Sequence, residues 1–124
     1  MTIKFKQVNP RDIIGESRDC VVRASTIATG LPYQEMHSKY KAAGRRDKRG
    51  TSVFLINQVL PHKQAITAGY RHLAWTLSKF ISIHSTGRWV LCNRNHAWAV
   101  IDGVVHDNAP VGARTRVLWA WRVE

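Results

Sequence analysis

A chain of 124 residues with 44% hydrophobic and 22% charged side chains has the balance of one globular domain, 1–124, and is far from a disordered composition. Nineteen Lys and Arg against eight Asp and Glu give +11, spread as eleven basic and five acidic over 1–62 and eight and three over 63–124. No apolar run is long enough to span a bilayer, residues 1–6 lack a signal-like apolar core, and two cysteines cannot form a disulfide scaffold. The expected setting is therefore a reduced cytoplasm without membrane contact.

In chain order, Ile3 and Phe5 alternate as in a strand, and a polar loop with Pro10, Gly15 and Ser17 follows. Residues 20–29 read as a helix with Asp19 as N-cap, Gly30 as stop, and Val21, Ala24, Ile27 and Ala28 on its apolar face. Pro32 suits the first turn of a second helix ending near Ala43, with Gly44 beyond it. Thr51 is the expected N-cap of a third helix through Leu60. Residues 61–75 read as irregular or extended, and Thr76 caps a fourth helix to about His84, with Leu77, Phe80, Ile81 and His84 on one face.

After Gly87 the pattern turns to strands. Trp89–Cys92 and His96–Ile101 are aromatic and β-branched runs, Asp102-Gly103 is a type I′ hairpin signal, and Val104–Asp107 is the return strand. A last strand covers 117–123. Helices first and an antiparallel sheet second make an α+β domain.

Cys20 stands at the first turn of a helix, where the backbone dipole favours thiolate over thiol, and Arg18 and Arg23 act in the same direction. A thiolate nucleophile needs a proton donor for its leaving group, and of six histidines His96 is best placed, directly before the hairpin. In a two-residue Asp102-Gly103 turn, Ile101 faces Val104 and Trp98 faces Asp107. His96 and Asp107 then share a face as diagonal neighbours, whereas Asn108 points away unless a bulge shifts the register. Parity thus selects Asp107 to orient the imidazole, with Asn108 as the alternative.

Asp19-Cys20-Val21-Val22-Arg23-Ala24, followed by His96-Ala97-Trp98-Ala99-Val100-Ile101-Asp102-Gly103-Val104-Val105-His106-Asp107, resembles the papain-like cysteine peptidase superfamily. The closer similarity is to small bacteriophage proteins of that type, and it extends over roughly 15–108, including Ala28-Thr29-Gly30 and Gly50-Thr51. The resemblance implies a papain-like fold, with the nucleophile at the start of a helix packed on the sheet. It implies Cys20 as nucleophile, His96 as general base and acid, Asp107 as the orienting residue, and a host-cell cytoplasmic setting for a phage-encoded chain. Such peptidases usually carry a glutamine about six residues before the cysteine, where this chain has Ile14. Ser17, Asn9 and Gln7 are the candidate substitutes as oxyanion donors, beside the Cys20 amide.

The function these residues point to is cysteine-dependent acyl transfer, hydrolysing a peptide, isopeptide or amide bond of a protein or peptide substrate, without metal or cofactor. A peptidoglycan amidase or endopeptidase is a variant of the same chemistry. The rival is a non-enzymatic basic phage module that binds nucleic acid or a host nucleic-acid enzyme, with Lys39, Lys41, Arg45, Arg46, Lys48 and Arg49 as the densest polyanion-binding cluster. A zinc site drawn from Cys20, Cys92, His96 and His106 lacks any closely spaced ligand pair, and parity puts His106 opposite His96. Cys92 is expected in the core, and Trp89, Trp98, Trp119 and Trp121, all in probable strands, are expected mostly in the core. Trp119 and Trp121 share one face of the last strand, where an exposed pair would mark a binding surface. His37, His62, His72 and His84 read as ordinary surface or half-buried histidines.

Overall fold

The computed structural model describes residues 3–60, 63–65 and 74–123. Four helices occur among them: α1 (Cys20–Thr29), α2 (Tyr33–Ala43), α3 (Val53–Val59) and α4 (Leu77–Ile83). The strands are β1 (Phe5–Gln7), β2 (Lys63–Ala65), β3 (Trp75–Thr76), β4 (Arg88–Cys92), β5 (Ala97–Ile101), β6 (Val104–Asp107), β7 (Arg116–Val117) and β8 (Trp119–Arg122). Six strands form one sheet in the order β1-β6-β5-β4-β8-β2, and β3 pairs with β7 apart from it. His62 and His72 lie outside the described residues.

The class is α+β, as expected, but the sheet is mixed and not antiparallel. β1 runs parallel to β6, Phe5 beside Val105 and Gln7 beside Asp107. The N-terminal segment thereby covers an edge of β6 that would otherwise expose unpaired backbone groups. Alternation along β4, β5 and β8 then builds two cores. Val90, Cys92, Ala97, Ala99 and Trp121 meet α1, α2 and α3 on one face. Trp89, Leu91, Trp98, Val100 and Ala120 meet α4 on the other.

Helix ends follow local chemistry with two corrections. Asp19 precedes α1 but makes no capping hydrogen bond, because ion pairs draw its carboxylate inward. Ser52, not Thr51, caps α3: its extended backbone aims the hydroxyl at the Leu55 amide, 3.3 Å away. Thr76 caps α4 as predicted, accepting from Lys79. Gly30 ends α1 in the left-handed conformation that glycine adopts without steric cost. Arg88 of β4 then donates to the last-turn carbonyls of α1, Nε to Ala28 O at 2.6 Å and Nη2 to Ile27 O at 3.0 Å. A cation at that end complements the helix dipole. In the β5–β6 turn Asp102 and Gly103 have φ of 47° and 79°, as a type I′ turn requires.

The sequence pattern puts Arg45 on a solvated basic loop and His37 at or near the surface. Both are instead buried around Glu16. The Glu16 carboxylate accepts from His37 Nε2 at 2.7 Å, Arg45 Nη1 at 3.2 Å, and the amides of Ser17 at 2.9 Å and Lys48 at 2.7 Å. Burial opposes its ionisation, but these donors outweigh that and hold its pKa at about 2. The carboxylate therefore ties the loop before α1 to the loop after α2.

Glu16→Ala leaves Arg45 buried without its partner and should cost roughly 3–5 kcal/mol in urea denaturation. Because the folded pKa is depressed, the stabilisation is fully present above the ordinary carboxylate range and is lost as pH falls toward about 2. Wild-type stability should therefore decline through that acid window more steeply than that of Glu16→Gln.

Candidate active site

Cys20 opens α1 and His96 stands one residue before β5, so the thiol comes from the helical layer and the imidazole from the end of the sheet. The hairpin register is the one parity requires: Ile101 opposite Val104, Val100 opposite Val105, Ala99 opposite His106. Asp107, at the end of β6, accepts from His96 Nε2 at 2.5 Å. The Cys20 thiol lines the same groove as His96, and the His96 side chain and the Ala97 backbone N–H are the groups that favour its thiolate. Asn108 is exposed; no bulge brings it inward, and its backbone N–H donates to Asp107 Oδ1 at 2.8 Å.

Three supports fix this geometry. Asn93 Oδ1 accepts from the amides of Asn95 at 2.8 Å and His96 at 2.9 Å, closing the turn that presents the ring. The ring stacks on Trp98, with centroids 6.0 Å apart and planes at 16°. Asp19, fully buried beside the cysteine, is ion-paired to Arg11 and Arg23 and accepts from Tyr33 Oη at 2.7 Å. Its carboxylate is thus kept from the first-turn amides of α1, which remain directed at the cysteine end of the helix. Asn93 and Tyr33 are the positioning residues that sequence reasoning misses. An Asx turn before His96 is the available signal for the first; nothing local announces the second.

The electrostatics follow. Burial disfavours the Cys20 thiolate, but the hydrogen bonds from His96 and Ala97 and the charges of His96 and Arg23 outweigh it, so the thiol pKa falls below its usual value. For His96 the hydrogen bond to Asp107 comes first and that to Cys20 second; both outweigh burial and raise its pKa to about 9. Both shifts act in the direction of a thiolate and an imidazolium. Cys92, in the core beneath, is held protonated by burial at up to about 12.

Cys20 and His96 line an open groove of about 330 Å³, with Thr51, Val53, Asn95 and Trp119 among its walls. Ser17, Asn9 and Gln7 are not among its lining residues. The Ser17 amide and carbonyl serve Glu16 and Arg45, Asn9 Oδ1 accepts from the Arg11 amide, and Gln7 is exposed on β1. Trp119 and Trp121 are no exposed pair either. Trp121 is fully buried, its indole donating to Asn57 Oδ1 at 3.0 Å, and Trp119 alone is half-buried at the groove.

Lys39, Arg46, Lys48 and Arg49 are exposed, and Lys41 faces Asp47 at 3.4 Å. Only Arg45 of that cluster is withdrawn from solvent, at 3% exposure. The four residues drawn as a zinc site do not converge, since His106 Nδ1 turns to Val104 O at 3.0 Å and His106 is absent from the groove. Ligand atoms of Glu16, His37 and Asp47 lie within 4.8 Å of one another, but Arg45 and two amides already occupy Glu16, which makes this an ion-pair network.

Asp107→Asn removes the largest influence on the His96 ring. Its NMR-monitored pKa should fall from about 9 by at least about one unit, with Cys20→Ala producing a smaller fall. Comparison with family models, curated proteins and solved structures finds no match to this chain.

Proposed function

We propose that this protein is a papain-like cysteine hydrolase that cleaves a peptide, isopeptide or amide bond through a thioester. The observation that carries the reading is that Cys20, at the start of a ten-residue helix, shares an open groove with a His96 whose ring is hydrogen-bonded to Asp107. The order cysteine, histidine, aspartate along the chain and the helix-then-sheet succession support it further.

The Cys20 thiolate attacks the carbonyl carbon. The amides of the first turn of α1 face the developing oxyanion, a role open to them because Asp19 does not cap them. The His96 imidazolium gives its proton to the leaving nitrogen as the carbon–nitrogen bond breaks, leaving a thioester on Cys20. Neutral His96 then takes a proton from water, whose oxygen attacks the thioester, releasing a carboxylic acid and regenerating the thiolate. Asp107 holds the ring and stabilises its cation throughout.

The substrate in this reading is a protein or peptide met in the cytoplasm, with a cell-wall peptide as the variant. The rival reading, a basic module that binds nucleic acid, draws on the exposed Lys39, Arg46, Lys48 and Arg49, and gives the thiol–imidazole pair no task.

Iodoacetamide at pH 6 should label Cys20 and leave Cys92 unmodified, as read by mass spectrometry. His96→Ala should slow Cys20 labelling by at least about tenfold at that pH, because the ion pair is lost. Equal, slow labelling of both thiols would remove the basis of the enzyme reading.

A further inference from the structure

Beside the groove lies a second cleft of about 310 Å³, between the 93–95 turn and residues 114–116 at the start of β7. Arg94, Arg114 and Arg116 line it, and among the described residues no acidic side chain does. Leu118, 1% exposed, is its apolar contributor. The two cavities share Asn93, Arg94 and Asn95 and are therefore neighbours along one surface. Arg94 stands at the junction, its guanidinium 6.0 Å from the ring centre of Trp119, a residue of the groove wall. Arg116 is anchored by a hydrogen bond from Nη1 to Ala74 O at 2.7 Å, which holds one end of its guanidinium.

Resting on the acyl-transfer reading, we propose that this arginine cleft binds the carboxylates of an acidic polypeptide substrate on the leaving-group side of the bond cut at Cys20. The side follows from the chain. The cleft borders the turn that delivers His96, and His96 is the group that protonates the leaving nitrogen. The ligand class follows from the lining. Planar guanidinium forks match carboxylates in paired hydrogen bonds, and three of them over one small cleft select anions over neutral side chains. A concave site of this size, next to a thiol that acts on amides, fits acidic side chains of a peptide. A nucleic-acid backbone would instead be drawn to the exposed Arg46, Lys48 and Arg49.

The test measures binding without turnover. Cys20→Ala protein is titrated by fluorescence anisotropy, at low salt, into a labelled peptide of alternating Glu and Gly and into its Gln counterpart. The Glu peptide should bind at least about tenfold tighter than the Gln peptide. Arg114→Gln, an exposed position, should weaken it by about threefold and Arg94→Gln/Arg114→Gln by at least about tenfold. Arg46→Gln/Arg49→Gln, which removes the same charge, should leave it nearly unchanged.

Equal binding of the two peptides overturns the proposal, and so does an equal loss in the Arg46/Arg49 pair. Displacement of the peptide by a DNA duplex at lower phosphate than peptide carboxylate concentration overturns it in favour of nucleic acid. Iodoacetamide labelling of wild-type Cys20 is scored separately. If labelling fails, the acyl-transfer reading falls; if labelling succeeds and the Glu preference is absent, only the acidic-substrate proposal falls.

Discussion

A fully buried carboxylate next to the candidate nucleophile imposes the main constraint on this molecule. Asp19 cannot stay ionised in the core without donors, and it recruits them from three directions: Arg11 from the preceding loop, Arg23 from the next turn of α1, and Tyr33 from α2. Burial opposes its ionisation, yet these partners keep its pKa below the ordinary value. The result fixes the angle at which the chain enters α1 and commits the Asp19 side chain to something other than capping. Both outcomes serve the sulfur, which gains a rigid helix start and amides with no competing carboxylate.

Glu16, just before it in the chain, has the corresponding role on the other side of the site. Through Arg45, His37 and the Lys48 amide it holds the loop that runs on to Gly50 and Thr51, which belong to the groove wall. Two acidic residues within four positions thus anchor opposite sides of one site, each through buried partners contributed by later elements. The net charge of the chain hides this arrangement. Three of the eight acidic residues, Glu16, Asp19 and Asp107, are inside and engaged with basic partners, while most of the 39–49 basic cluster remains outside.

The sequence is most informative where chemistry is local. Gly30, Thr76 and Asp102-Gly103 act on their own neighbours, and each does what its residue type predicts. Hairpin parity extends that reach, because a two-residue turn fixes the register of both strands, and Asp107 falls beside His96 for that reason alone. Long-range pairing is not legible. A three-residue strand such as β1 carries no mark of its partner or direction, so the parallel edge has no signature in the residues. Buried polar groups are hidden for the same reason. Arg45 and Arg46 are adjacent and chemically alike, and only the distant Glu16 decides that the first turns inward. The candidate substitutes for the glutamine fail because proximity in sequence to Cys20 does not place a side chain in the groove.

The pairing of Phe5 with Val105 has a consequence for how the molecule comes into being. Strands so far apart in sequence meet only at a large loop-closure cost, and such non-local pairing is slow. During synthesis the segment bearing Cys20 emerges long before the one bearing His96 and Asp107. The early chain therefore carries Cys20 without the two side chains that later stand beside it. A truncated or stalled product would hold the sulfur without His96 and Asp107, so the topology itself makes completion of the candidate site wait on the sheet.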